Sequence, residues 1–137
     1  MKNNELFHGF WMKKNLALFG LSRDENSVSR QIHRLLVNHH YAVYPINPNA
    51  DTIDSIRCYP HVDAIPVALD GAIVITNPKI SLRVVDDLFR KGIKDVWFQP
   101  DTMDDAVREL LETNEMNYVY HCALVYHREV GFPQHSD

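Results

Sequence analysis

The segment formed by residues 16–49 constrains the fold more than any other part of the sequence. It begins with a short apolar run that stops at Gly20 and continues into a polar loop. Apolar residues then recur at helical spacing over residues 28–36. A second apolar run over residues 41–46 ends in the turn formers Asn47-Pro48-Asn49. Strand, turn, helix and strand within about 34 residues predict a parallel β-α-β unit, which needs about that length.

The rest of the sequence repeats this alternation. Apolar runs predict further strands at residues 71–75, 95–99 and 118–122, and helical periodicity predicts helices at 81–91 and 103–114. Strands that alternate with helices form a parallel sheet covered by helices on both faces. We therefore predict an α/β, three-layer domain with a five-stranded parallel sheet and right-handed crossovers. Numbered along the chain, the strands are expected in the order 3-2-1-4-5, with a switch point beside the first strand.

The two ends of the chain are predicted to extend this single domain of residues 1–137. Residues 1–14 form a helical extension in which Leu6, Phe7, Phe10 and Trp11 share one face. That face either covers the sheet or contacts a second subunit, and the second reading is the basis for expecting a homodimer. The polar residues 128–137 are expected to form a loose tail.

Composition excludes several classes of function. The net charge of −4 gives no electrostatic basis for binding nucleic acid. No apolar run approaches the roughly 18 residues of a membrane span, and the N-terminus is a poor signal peptide. The two cysteines, Cys58 and Cys122, match neither a metal spacing nor a redox CxxC motif. We therefore expect a cytoplasmic protein with free thiols, bound to neither membrane nor nucleic acid.

Polar and turn-forming residues follow the predicted strands. The carboxyl ends of parallel strands meet at one edge of a sheet, where α/β proteins bind ligands at the switch point. Backbone N–H groups and the helix dipole also favour a phosphate after the first strand. The sequence therefore predicts a site that holds a ligand rather than one that transforms it. It comprises Gly20, Leu21, Ser22 and Arg23 after the first strand, Asn47, Pro48 and Asn49 after the second, Thr76, Asn77, Pro78 and Lys79 after the third, and Gln99 after the fourth.

Two common nucleotide-binding motifs are absent from the sequence. Gly20 stands alone without a GxGxxG motif, and Asn47 occupies the place of the acid that binds a ribose hydroxyl in NAD enzymes. No GxxxxGK(S/T) motif occurs either, so we expect neither NAD-dependent hydride transfer nor a P-loop. No histidine pair has a zinc-binding spacing and no acid–base pair is evident, so no metal ligand and no catalytic residue is predicted.

Several blocks of sequence, taken together and in order, are similar to those of one known family. The blocks are Leu16-Ala17-Leu18-Phe19-Gly20-Leu21-Ser22, Tyr41-Ala42-Val43-Tyr44-Pro45-Ile46-Asn47-Pro48-Asn49, Cys58-Tyr59-Pro60, Ala64-Ile65-Pro66, Gly92-Ile93-Lys94-Asp95-Val96-Trp97-Phe98-Gln99, and finally Cys122 and His127. They resemble the CoA-binding domain family of small bacterial proteins, which is related to the CoA-binding domain of the succinyl-CoA synthetase alpha subunit. The resemblance covers residues 15–127, and no single block carries it alone.

The resemblance implies a Rossmann-like fold and a small-molecule nucleotide ligand, coenzyme A. It places the phosphates and adenosine of coenzyme A over Gly20-Leu21-Ser22, the start of the first β-α-β helix near Ser27, and Asn47-Pro48-Asn49. The turn Thr76-Asn77-Pro78 completes the cleft. Arg23, Arg30 or Lys79 is expected to neutralise phosphate charge.

Three hypotheses about function follow. The first is a non-catalytic or accessory coenzyme A-binding protein. The second is a degenerate member of the fold that binds another nucleotide or serves as a protein-interaction module, because Leu21, Asp24 and Glu25 depart from the family's loop after the first strand. The third is a thiol enzyme that acts through Cys122, which requires a lowered thiol pKa and a nearby base.

Overall fold

A parallel β-sheet with helices on both faces forms the protein, and the predicted fold class is confirmed. The computed structural model describes residues 2–133 and 135, with side chains from residue 7 onward. The elements follow along the chain as α1 (Lys2–Trp11), β1 (Asn15–Phe19), α2 (Val28–Asn38), β2 (Ala42–Ile46), β3 (Thr52–Ile53), β4 (Ile56–Arg57), a 3₁₀ turn (Val62–Ala64), β5 (Gly71–Val74), α3 (Pro78–Lys91), β6 (Asp95–Phe98), α4 (Asp105–Thr113), β7 (Asn117–Tyr120) and α5 (Ala123–Glu129).

The five strands of the sheet lie in the order β2-β1-β5-β6-β7, and every neighbouring pair is parallel. Numbered along the chain, this order is 2-1-3-4-5, so the predicted order 3-2-1-4-5 is wrong in the place of the third strand. That strand, β5, pairs with β1 instead of lying outside β2. The switch point lies beside the first strand, between β1 and β5, as expected.

Pro45 explains why β2 is the edge strand. Proline has no N–H to donate to a sheet ladder and is therefore found mainly on edge strands. In β2 the carbonyl of Pro45 faces away from β1 and accepts a hydrogen bond of 2.9 Å from the N–H of Tyr59. β1, whose residues 16–19 are all buried, instead has a strand on each side. Pro45 is therefore a signal in the sequence against the order 3-2-1-4-5, in which the second strand is internal.

The helix α1 covers one face of the sheet, which is the first of its two predicted roles. Phe10 and Trp11 are buried, and the Trp11 ring centroid lies 4.7 Å from that of Trp97 in β6. The Trp11 ring also lies 4.2 Å from the ring of Phe132, which is buried as well. The prediction for Leu6 falls on a side chain outside the described ones.

The C-terminal residues differ from the expected loose tail over the part that the structure describes. The fifth strand ends at Tyr120, and the helix α5 follows, which we did not predict. Beyond α5, Phe132 packs into the aromatic cluster, and the N–H of His135 donates a hydrogen bond of 3.1 Å to the carbonyl of His39. The mostly polar composition of residues 128–137 did not predict this packing, because the packing depends on a single aromatic side chain, Phe132. None of the helices in the described part of the chain combines the length and apolarity required to cross a membrane.

Candidate functional site

A cleft of about 420 Å³ opens at the carboxyl ends of β1, β2 and β5. This is the switch point of the sheet, where open α/β sheets bind ligands. One wall is a face of α3, and the opposite wall is the turn after β2. The residues that line it are Phe19, Gly20, Leu21, Ile46, Asn47, Pro48, Asn49, Pro60, His61, Val62, Thr76, Ile80, Arg83, Val84 and Asp87.

Gly20 allows the ends of β1 and β5 to approach each other at the floor of the cleft. Its φ is +104°, and a Cβ built on it would lie 2.6 Å from the carbonyl oxygen of Ile75. Any other residue at this position would therefore strain the backbone and collide with it. Next to Ile75, the hydroxyl of Thr76 is 2.8 Å from the hydroxyl of the buried Ser81, which ties the floor to α3.

The turn after β2 forms the second wall as expected from the sequence. Asn47, Pro48 and Asn49 all line the cleft. The side-chain oxygen of Asn47 accepts a hydrogen bond of 2.8 Å from the N–H of Asn49, and the N–H of Asn47 donates to the carbonyl of Tyr59. The turn is thereby held in one shape, which presents amide groups and a proline ring toward the cleft.

Leu21 lines the cleft, and it also packs into the core. The residue is buried within the core cluster that also contains Ile32, Ile53 and Cys58. Asp24 and Glu25, the acids that depart from the family's pattern, are exposed. These three departures are therefore compatible with an open cleft.

The rest of the predicted first loop lies outside the cleft. The buried guanidinium of Arg30 donates to the carbonyls of Ser22 and Arg23, at 3.2 and 3.3 Å, and to a carboxylate oxygen of Asp54 at 3.0 Å. It thus joins the β1–α2 loop to the β3–β4 hairpin. Ser27 is the N-cap of α2, because its hydroxyl accepts from the N–H of Arg30.

The remaining predicted residues are also placed away from the lining. Asn77 is the N-cap of α3 and Pro78 its first residue, so this helix begins earlier than the predicted range of residues 81–91. Lys79 is exposed in the same first turn. Gln99 is buried, and its Oε1 accepts hydrogen bonds from the N–H of Ala123 (2.6 Å) and from the indole N–H of Trp97 (3.3 Å). Gln99 therefore joins β6 to α5.

Sequence reasoning missed the face of α3 that lines the cleft. Ile80, Arg83, Val84 and Asp87 follow the spacing i, i+3, i+4, i+7, which places them on one face. Leu82 and Phe89, which are also apolar, lie off this face and are 37% and 41% exposed. The sequence signal for this face is Asn77-Pro78. A capping residue followed by proline indicates that the helix begins before residue 81.

His61 stands between two carboxylates at the rim of the cleft. Its Nδ1 accepts a hydrogen bond of 3.2 Å from the N–H of Asp63, and its Nε2 is 3.4 Å from a carboxylate oxygen of Asp87. Both ring nitrogens are thus engaged, and His61 connects the 3₁₀ turn to α3. Pro60 and Val62, on either side of it, add apolar surface to the cleft.

The two thiols lie away from the lining residues. Burial raises the pKa of the Cys58 thiol. Cys122 precedes α5, and its Sγ accepts a hydrogen bond of 3.5 Å from the side-chain amide of Gln99. Within the part of the chain that the structure describes, no three His, Cys, Asp or Glu side chains are grouped in a way that would hold a metal ion.

Comparison with known protein families identifies the group to which this fold belongs. A family model described as a CoA binding domain matches residues 14–128. The chain belongs to this family. The resemblance that the sequence blocks indicated is thereby confirmed.

Relatives of this CoA-binding-domain protein include much longer proteins. The chain is 36% identical over 83 residues to the ADP-forming acetate–CoA ligase II of Archaeoglobus fulgidus, a match that covers 59% of this chain and 12% of the ligase. It is 24% identical over 116 residues to the alpha subunit of the ADP-forming acetate–CoA ligase II of Pyrococcus furiosus, which covers 81% of this chain and 25% of that subunit. The chain therefore spans a small part of the curated relatives it matches.

Solved structures of similar fold include both small proteins and parts of larger ones. A hypothetical protein from Pyrococcus horikoshii has a TM-score of 0.85 at 25% identity, covering 95% of this chain and 92% of that one. The dinucleotide-forming acetyl-coenzyme A synthetase 1 of Ca. Korarchaeum cryptofilum, in complex with phosphate and ADP, has a TM-score of 0.63 at 28% identity and covers 77% of this chain and 25% of that one. The fold thus occurs both as a separate chain and within a larger protein.

Proposed function

We propose that this protein binds coenzyme A in the cleft at the carboxyl ends of β1, β2 and β5, as a non-catalytic or accessory binding protein. The observation that carries the proposal is the coincidence of family and geometry: a CoA binding domain matches residues 14–128, and its cleft lies at the switch point of the sheet. A volume of about 420 Å³ is within the usual range for small-molecule sites.

The chemistry of the lining supports a nucleotide rather than a purely apolar ligand. Ile46, Val62 and Val84 give apolar walls of the kind on which an adenine ring packs, and Asn47 supplies amide hydrogen-bonding groups. Arg83 adds a positive charge.

The same lining supports binding without a chemical step. Thr76 contributes the hydroxyl among the lining residues, and that hydroxyl is within hydrogen-bond distance of Ser81. The ring nitrogens of His61 are both engaged, so neither faces the ligand as a free base.

Isothermal titration with coenzyme A, dephospho-CoA, ADP and NAD tests the proposal. We expect heat of binding with coenzyme A and weaker or no binding with NAD. Ile80→Trp should abolish binding by filling the cleft, whereas Leu82→Trp should not, because Leu82 is similarly exposed on the same helix (37% against 39%) but does not line the cleft. Silence for all four ligands, or equal loss in both variants, would overturn the proposal.

Incubation with acetyl-CoA separates this proposal from a thiol enzyme that acts through Cys122. We expect the rate at which acetyl-CoA releases free thiol to be the same with and without the protein. Acceleration that disappears in Cys122→Ser would replace the accessory role with a catalytic one.

The expected homodimer stays a prediction. Burial of Phe10 and Trp11 within one chain accounts for their apolar character without a second subunit. Sedimentation equilibrium over a range of concentrations would measure the oligomeric state directly.

A further inference from the structure

In the loop that usually binds phosphate in folds of this kind, four N–H groups already donate hydrogen bonds to the protein itself. Phosphates commonly lie against the loop after β1 and the start of the following helix. Here the N–H of Ser22 donates to the hydroxyl of Ser29, and the N–H of Asp24 donates to the hydroxyl of Ser22. The N–H groups of Asn26 and Ser27 both donate to oxygens of Asp24. These four donors are therefore engaged before any ligand arrives.

The cations near this loop do not line the cleft either. The guanidinium of Arg30 is buried among the carbonyls of Ser22 and Arg23 and the carboxylate of Asp54. Arg23 and Lys79 are exposed and lie outside the cleft lining. An anionic ligand in the cleft needs its positive partner elsewhere.

Among the described residues, Arg83 is the only arginine or lysine that lines the cleft. It lies on the α3 face between Ile80 and Asp87, on the wall opposite Asn47. Its charge is permanent, and its planar guanidinium matches two oxygens of a phosphate at once.

Within the part of the chain that the structure describes, Arg83 has no carboxylate partner for its charge. Asp87 follows Arg83 by four residues, a spacing at which helical ion pairs form, as Arg90 and Asp86 do at 3.0 Å on the same helix. The carboxylate of Asp87 instead lies 3.4 Å from His61 Nε2. Among the described residues, with side chains from residue 7 onward, no carboxylate is within ion-pair distance of the Arg83 guanidinium.

We propose that Arg83, on α3, holds a phosphate group of the nucleotide ligand, in place of the β1–α2 loop. The inference rests on the proposed function and adds to it the residue that recognises the anion. In this proposal the pairing of Asp87 with His61 has a role: it keeps the Asp87 carboxylate from neutralising the charge of Arg83.

Titration of Arg83→Gln with coenzyme A and dephospho-CoA tests the assignment, with Arg90→Gln as a control of equal charge change on an exposed part of the same helix. We expect Arg83→Gln to weaken binding of coenzyme A about ten- to hundredfold, the usual effect of losing a charged hydrogen-bonding partner. Arg90→Gln should stay within about twofold of wild type. Arg83→Lys should recover part of the loss, since it restores the charge but not the fork of two N–H donors.

The two ligands locate the phosphate. A loss confined to coenzyme A assigns Arg83 to the 3′-phosphate, and an equal loss for both ligands assigns it to the diphosphate. Wild-type affinity in Arg83→Gln, or an equal loss in Arg90→Gln, overturns the assignment while the proposed function stands. Absence of binding by the wild-type protein removes the proposed function and this inference together. Thermal denaturation of each variant confirms that it is folded.

Discussion

The two connections that meet at the switch point use their polar groups in opposite ways. The β1–α2 connection is long, and its serine hydroxyls, the Asp24 carboxylate and the Arg30 guanidinium form hydrogen bonds with its own backbone. The β5–α3 connection is short, passes directly from Thr76 into the cap Asn77, and leaves the next turns of α3 facing the cleft. The difference teaches that a loop at the expected position in a fold can have its donors engaged before any ligand binds. What matters is which donors and charges remain after the protein has satisfied its own groups.

Replacing Gly20, where the two connections touch, should have the largest effect. Gly20→Ala places a methyl group 2.6 Å from the carbonyl oxygen of Ile75 at φ +104°. We expect a loss of about 3 kcal/mol in the free energy of unfolding, from backbone strain and collision. Gly9→Ala is the control, because nothing lies within 4 Å of its added Cβ in α1. That change should stabilise the protein by up to about 1 kcal/mol. Urea unfolding measures both, and equal effects would show that the approach of β1 to β5 is not tight.

Removing Arg30 should destabilise the β1–α2 connection. Arg30→Met deletes hydrogen bonds to the carbonyls of Ser22 and Arg23, and it also deletes the pair with Asp54, whose 60% exposure reduces the contribution of that pair. We expect the free energy of unfolding to fall by about 2 kcal/mol. Arg34→Met, on the same helix, removes a single exposed hydrogen bond of 3.0 Å to the carbonyl of Glu25 and should cost less, about 0.5 kcal/mol. If Arg30→Met keeps wild-type stability but loses binding of coenzyme A, Arg30 belongs to the ligand site and the comparison fails.

The two helix caps should separate stability from binding. Ser27→Ala and Asn77→Ala each remove a side-chain acceptor at a helix start and should cost about 1 kcal/mol of stability. Only the helix that follows Asn77 forms a wall of the cleft. We therefore expect calorimetry to show weaker binding of coenzyme A in Asn77→Ala and affinity within about twofold of wild type in Ser27→Ala. The reverse result would assign the ligand to the first connection.

The smallest expected effect is a pH dependence associated with α2. Burial, followed by the charges of Arg30 and Arg34, lowers the pKa of His33. In the unfolded chain an ordinary histidine has a pKa of about 6.5. As pH falls through that value the unfolded state takes up the proton first, so the free energy of unfolding decreases until His33 is protonated in the folded state too.

Urea unfolding at about pH 7.5 and about pH 5.5 measures this difference. His33→Gln should make the stability loss on acidification smaller than in wild type. His127, whose pKa is also lowered, first by burial and then by His39, contributes with the same sign. An unchanged loss in His33→Gln would show that α2 does not contribute.

Local patterns predicted most of the elements and the second wall of the cleft. Ser27 was expected at the start of α2 and is its cap. Gly20 and the turn Asn47-Pro48-Asn49 were expected at the site and line the cleft. These features depend on backbone conformations that only certain residues adopt, so they can be read from a few neighbouring positions.

Features that depend on distant segments escaped the sequence analysis. Arg30 and Arg83 are both arginines on helices, but only the structure shows that Asp54 and two carbonyls engage Arg30 while His61 draws Asp87 away from Arg83. Gln99 follows a strand as ligand-binding residues do, yet its buried amide joins β6 to α5.

The amino-acid sequence by itself determined the alternation of strands and helices, the family and the edge of the sheet at which a ligand site would form. Short-range periodicity and turn chemistry are enough for these, since each acts within a few residues. Only the tertiary structure decided the strand order, the packing of Phe132 against Trp11 and the choice of which arginine faces the cleft. Those outcomes depend on competition between side chains far apart in the chain for the same partners, and a local pattern does not record that competition.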